Sequence, residues 1–254
     1  MKRRSALSFL LTISIVFIIS CKGSDKNGDF PMDKKYWTAE DYNNVNHTLT
    51  SLFYNKSELP NLDDPKTSAV FEKIVDTANI EVVAGDDQLG LSHRSEFLKS
   101  MIGEFKDLSA RYSSLDNQDK YVYPSEFVEI LRFGLYLQVP YIQVGNEKII
   151  KESTDPNDEE TKRVVSANQQ ILIKNYNIYL GYVNYEDRFN DKAVAELAQV
   201  INEYYSRLIS QTLPNGDYTE TLDLVQKMLK KAKNTALVQS LQNLETLIKT
   251  KSPK

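Results

Sequence analysis

The sequence predicts an all-α protein: a single domain over residues 36–254, built as an irregular bundle or array of about seven or eight helices, with room for one small β-hairpin, on a flexible tether. Three observations lead there. Apolar residues recur at three- and four-residue spacing through most of the chain. Capping residues and prolines punctuate it where helices would start, at Thr38, Asp64-Pro65, Pro124, Asp155-Pro156 and Asn190. Strand-like alternation is confined to two short stretches.

The chain opens with the basic run Lys2-Arg3-Arg4. An apolar stretch follows from Ala6 to Ile19, broken only by Ser8, Thr12 and Ser14. A basic start, a short apolar centre and a small residue before the break make a secretory signal, expected over residues 1–20. Fourteen helical residues would rise about 21 Å, short of the ~30 Å hydrocarbon core. A cleaved signal is therefore expected rather than a retained span. Cys21 is the one cysteine in the chain, so no internal disulfide can form.

The tetrad Ile18-Ile19-Ser20-Cys21 resembles the bacterial lipobox. Ile18 stands where that family usually has Leu, and the resemblance covers residues 1–21 only. It implies a diacylglyceryl group on the Cys21 thiol, cleavage after Ser20 and acylation of the new amine. The partner implied is the lipid bilayer, reached through the acyl chains on Cys21. Each buried acyl CH₂ contributes ~0.8 kcal/mol, so two or three chains anchor a protein durably. In well-studied Gram-negative systems an Asp after the cysteine retains such a protein in the inner membrane. Lys22 stands there, which points to the outer membrane, on either face. Residues 21–35 are polar and rich in breakers and read as a flexible tether.

Helices then follow in order. Thr38 caps the first, with Glu40 and Asp41 in its first turn and Tyr42, Val45, Leu49 and Leu52 on one face. Asp64-Pro65 starts the second, striped by Val70, Phe71, Ile74 and Ala78. The third runs from about Ser92 to Tyr112, and Phe97, Met101, Phe105, Leu108 and Tyr112 keep the helical period throughout. Pro124 opens the fourth, with Phe127, Ile130, Leu131 and Leu135 inward; Gly134 weakens it, and Pro140 is expected to end or kink it. The fifth starts near Asp155-Pro156 and extends toward Asp187. Asn190 caps the sixth, which carries Val194, Leu197, Ile201, Tyr204, Tyr205 and Leu208. After the turn Pro214-Asn215-Gly216-Asp217 comes a helical hairpin, broken at Asn234-Thr235. Ile80-Glu81-Val82-Val83 and the stretch Tyr141 to Ile150 are the two candidates for a β element.

The whole chain carries 31 bases, 35 acids and a formal charge of −4. Removing Lys2, Arg3 and Arg4 leaves 28 bases against the same 35 acids, a charge of −7. Such a body is a poor ligand for nucleic acid, because phosphate neutralisation needs clustered cations. It also lacks disulfides, so it needs a real apolar core.

Motifs that resemble catalytic chemistry fail on inspection. Gly85 to Ser92 has the glycine spacing of a phosphate loop but Leu91 replaces the lysine, and Asp86 and Asp87 oppose a phosphate. Asp155, Asn157 and Glu159 alternate like the start of a calcium loop, yet Glu160 holds the glycine place and Ser166 the place of the bidentate Glu. His47 and His93 show no metal-ligand spacing. No Gly-x-Ser-x-Gly occurs. Asp63-Asp64, Asp86-Asp87 and Glu159-Glu160 are adjacent rather than opposed across a cleft. No catalytic residue, metal ligand or cofactor is assigned.

The tyrosines carry the one functional signal. Tyr176, Tyr179, Tyr182 and Tyr185 recur every third residue, so on a helix they fan over about half its circumference. Such a helix is either buried among others, its phenols reaching outward, or one wall of an aromatic groove. The candidate groove residues are Tyr136, Tyr141, Tyr176, Tyr179 and Tyr182, between the fourth and fifth helices. Three functions stay open. The first is a non-enzymatic envelope lipoprotein that binds or scaffolds a macromolecular partner, protein or glycan; helical surface lipoproteins of spirochetes and of Bacteroidetes-type bacteria look broadly similar. The second is a lipoprotein that binds a small ligand or oligosaccharide in the tyrosine-rich groove. The third is a hydrolase whose site no motif reveals.

Overall fold

The structure, a computed structural model, describes residues 30–251. Cys21 and the lipobox lie outside the described residues. Among the described residues there are nine α-helices: α1 (Ala39–Tyr54), α2 (Ser68–Ile74), α3 (Ala78–Ala84), α4 (Leu91–Tyr112), α5 (Pro124–Glu152), α6 (Glu159–Leu180), α7 (Asp191–Arg207), α8 (Thr219–Leu229) and α9 (Thr235–Lys251). A 3₁₀ segment, Gly181–Arg188, prolongs α6, and a π turn, Leu208–Thr212, ends α7. The protein is all-α, an irregular array around one core. Among the described residues pairing is limited to a single bridge between Leu115 and Tyr121. No helix among them is long and apolar enough to cross a membrane.

The central element is α5. Pro124 opens it at the first helical position, where the missing N–H is not needed. Its 29 residues rise about 44 Å. α4 packs antiparallel along one side: Tyr112, at the end of α4, meets Tyr123 at the start of α5, and Arg94 near the start of α4 lies 3.7 Å from Glu147 near the end of α5. α6 packs antiparallel along another side. Asn168 Nδ2 donates to Asn146 Oδ1 at 2.8 Å, and Asn175 Nδ2 to Gln138 Oε1 at 2.7 Å. α4 and α6 therefore run parallel to each other and straddle α5. α7 covers a third side of α5, and α8 and α9 pack behind it.

Local sequence explains the helix ends. Thr38 and Asp41 form a reciprocal capping box on α1. The Asn190 side chain accepts from Ala193 N at 2.8 Å to cap α7. The Asn234 side chain accepts from Ala236 N to start α9. α2 starts at Ser68, three residues after Pro65; Asp64 instead organises the preceding turn, its carboxylate accepting from Lys66 N. The α1–α2 connection is pinned on the end of α4 and the start of α5 by three buried or half-buried side chains. Leu59 N donates to the Tyr123 hydroxyl, Tyr112 donates to Pro60 O, and Leu62 N donates to Glu126.

Two expectations are corrected. The candidate β stretches are both helical. Ile80 is fully buried and Val83 half-buried one turn later, so Ile80-Glu81-Val82-Val83 satisfies a short helix, α3, as well as a strand. Tyr141 to Ile150 lies inside α5, where Ile142 and Val144 are buried. Pro140 does not end that helix, which continues to Glu152 because the apolar contacts on either side outweigh one lost backbone bond. Residues 30–35, assigned to the tether by their composition, take part in the folded body. Phe30 is buried, and Trp37 Nε1 donates to Pro31 O at 2.9 Å.

Candidate functional site

The α4–α5–α6 layer leaves a groove of about 490 Å³ between its two parallel walls. That lies within the range of small-ligand sites, roughly 300–1,000 Å³. α4 supplies one wall. Ile102, Lys106, Ser109 and Ser113 follow one another at helical spacing, beside the Phe105 ring. α6 supplies the other with Asn175, Ile178, Tyr179 and Tyr182. Leu131, Gln138 and Tyr141 of α5 form the floor. The walls touch where the Phe105 and Tyr179 rings meet, with centroids 5.8 Å apart.

Gly134 permits this approach. A Cβ there would lie 2.5 Å from Cζ of Phe105 and 2.6 Å from the Tyr179 hydroxyl. The sequence marks Gly134 as a weak point of the helix; in the structure its missing side chain is the space that Phe105 and Tyr179 occupy.

The groove is apolar at its base and polar at defined points. Gln138 is buried and holds Asn175 by the 2.7 Å bond. Burial pushes the Tyr179 and Tyr182 phenols above their ordinary pKa, against hydrogen bonds to Gln138 and Ser109 that lower it. Each phenol thus keeps its proton at neutral pH. Tyr141 has no hydrogen-bond partner among the described residues, and Lys106 has no ion-pair partner among them.

The five candidate tyrosines divide. Tyr141, Tyr179 and Tyr182 line the groove together. Tyr176 does not. It is 2% exposed, its hydroxyl donates to Leu135 O at 3.1 Å, and its ring packs edge-on against Tyr205. Tyr136 faces another way, donating to Glu81 of α3 at 3.0 Å. The residues that sequence reasoning missed are Lys106, Gln138, Asn175 and Ile178. A signal for the last existed: Ile171, Ile178 and Tyr185 are seven apart and 46, 67 and 44% exposed, an apolar stripe left on the outer side of α6 and its extension.

Elsewhere the structure gives little support for chemistry. His47 on α1 and His93 on α4 are both exposed. Among the described residues no group of three His, Cys, Asp or Glu could hold a metal ion. Gly85 ends α3 and Gly90 precedes α4 in extended conformation, so the glycine-spaced loop is a helix connection. In the calcium-like stretch Asp155 accepts from Asn157 N at 2.8 Å, Asp158 caps α6 by accepting from Thr161 N at 2.6 Å, and Glu159 lies in the first turn of that helix. A second cavity, of about 500 Å³, lies between the 3₁₀ segment and the α8–α9 turn. It mixes Lys120, Lys231 and Lys233 with Glu186, Asp187 and Asp191, and Glu186 is already engaged by the backbone N–H groups of Lys233 and Asn234.

Compared with known proteins, the chain matches no family model, no curated protein and no solved structure.

Proposed function

We propose that this chain is a lipid-anchored binding protein of the bacterial envelope, held by acylated Cys21, which recognises a ligand in the groove between α4 and α6. The observation that carries the reading is the groove itself. It has the volume of a ligand site, three tyrosines, an amide pair joining its floor to the α6 wall and an exposed Ile178 at its rim. The lipobox-like tetrad supports the anchor, and with Lys22 after the cysteine it supports the outer membrane. Two experiments test this. Tagged fatty acid should label the wild type and not Cys21→Ser; equal labelling of the variant ends the lipoprotein reading. An envelope extract added to the isotope-labelled mature chain should perturb NMR signals of Ile102, Ile178 and Tyr182. Perturbations at Lys120 and Lys233 instead would move the function to the other cavity.

A second reading draws on the α6 stripe. Ile171, Ile178 and Tyr185 form an apolar line that suits a macromolecular partner docking along the helix. Ile171→Ser with Tyr185→Ser, two positions outside the groove lining, should then abolish partner capture and spare small-ligand binding.

A further inference from the structure

The chemistry of the groove specifies its ligand further, and this inference rests on the groove being the binding site. Among the described residues no carboxylate lines it, although the chain carries 35 acids against 31 bases. The one charged lining residue among those described is Lys106, exposed on the α4 wall. Lys99, two turns earlier, lies on the same face of α4, since seven residues return to within about 20° on a helix. The three acids of α4, Glu96, Glu104 and Asp107, are outside the groove lining, Glu96 about 80° round the helix from Lys106. Glu104 turns to α1, where Asn46 Nδ2 donates to it at 2.7 Å, and Asp107 is about 100° round the helix from Lys106. The remaining polar groups include several that can donate. Tyr182 keeps its phenolic proton at neutral pH, the Tyr141 hydroxyl has no partner among the described residues, and Asn175 has a second N–H beyond the one given to Gln138. Ile102, Phe105, Leu131 and Ile178 supply apolar surface next to those donors.

A surface rich in donors, with an ammonium and no carboxylate, is complementary to an acceptor that carries negative charge. It offers an anion a counter-charge and offers a cation none. We propose that the groove binds a small organic acid: an apolar ring or chain lying on Phe105 and the two isoleucines, with its carboxylate at Lys106 and a tyrosine hydroxyl of the lining.

The test uses the mature chain from residue 22, which contains every described residue. The probes are 4-phenylbutyrate and octanoate, each against its own primary amide, with maltotriose as a neutral glycan. Binding is read by calorimetry and located by NMR. The acids should bind about tenfold or more tighter than the amides, and the preference should shrink as salt rises. Lys106→Gln, at an exposed position, should remove most of the preference while its far-UV spectrum stays that of the wild type. Amides that bind as tightly as acids, or an unchanged preference in Lys106→Gln, overturn the carboxylate assignment while leaving the groove as the site. Maltotriose binding in the groove where the acids fail assigns a neutral glycan instead and also overturns it. No acid binding up to about 10 mM overturns it as well. If any probe binds with shifts only outside Ile102, Ile178 and Tyr182, the groove reading fails with it.

Discussion

Gly134 and Phe105 meet so closely that a Cβ on Gly134 would lie 2.4 Å from Phe105 Cε2. The substitution Gly134→Ala should therefore destabilise the protein by about 1–3 kcal/mol, despite the better helix propensity of alanine. Gly103, in α4, has nothing within 4 Å of its Cβ position. Gly103→Ala should stabilise by about 0.5–1 kcal/mol. Urea denaturation of both variants checks the pair; equal signs would show that packing at Gly134 is looser than described.

A buried amide ties the N-terminal segment to α1 and α3. Asn79 is fully buried, accepts from Trp37 N at 2.9 Å, and donates to the Tyr42 hydroxyl at 3.0 Å and to Lys73 O at 3.1 Å. Asn79→Ala should cost about 2–4 kcal/mol, because it leaves the Trp37 N–H unsatisfied and opens a cavity. Loss of Trp37 fluorescence burial ahead of global unfolding would report the local release. A urea midpoint equal to that of the wild type would contradict the account.

The α1 cap is sensitive to acid. Burial alone would raise the Asp41 pKa, but hydrogen bonds from Lys34 and from the Thr38 amide and hydroxyl outweigh it and hold the carboxyl below its usual value. A carboxyl lowered in the folded state contributes stability above its unfolded pKa of about 4, and that contribution is lost as pH falls through the folded value. Asp41→Asn should thus be less stable than wild type at pH 7, and the gap should narrow below about pH 4. Urea midpoints at pH 7 and pH 3 measure it. A gap that stays constant would remove Asp41 ionisation from the cap.

Pro140 breaks the backbone ladder of α5 without ending it. Its nitrogen cannot donate to the Tyr136 carbonyl, one turn earlier in the helix. Pro140→Ala should raise stability by about 1–2 kcal/mol, the restored helical bond exceeding the entropy that proline removes from the unfolded chain. A drop in thermal midpoint would mean that the ring packs more tightly than its half-buried position indicates.

The helices most legible in the sequence are those whose signals agree. α4 has five apolar residues at unbroken period, and all five are buried. α7 has both the Asn190 cap and its stripe. α3 was harder to read because it is seven residues long, and Ile80 and Val83 fit either period. The course of α5 past Pro140 depends on packing against α4 and α6, which one residue's propensity does not encode. The groove is legible on one side only. Tyr141, Tyr179 and Tyr182 stand out by type, but the α4 wall is Ile102, Lys106 and Ser109, a face without apolar period. Only the parallel course of α4 and α6 across α5 brings it opposite the tyrosines. The same packing turns Tyr176 into the core and Tyr136 toward α3, although both share the aromatic pattern.

The central claim, that the groove is where this protein meets its ligand, is tested most directly by placing a photoreactive residue at Ile178 in intact cells. Val82 on α3, apolar and 40% exposed but outside the groove, serves as the control position. The account predicts a defined mass added to the peptide bearing residue 178, none at residue 82, and loss of the adduct when Tyr182→Arg fills the groove. An adduct of equal yield at both positions, or one at 178 that survives Tyr182→Arg, would contradict it.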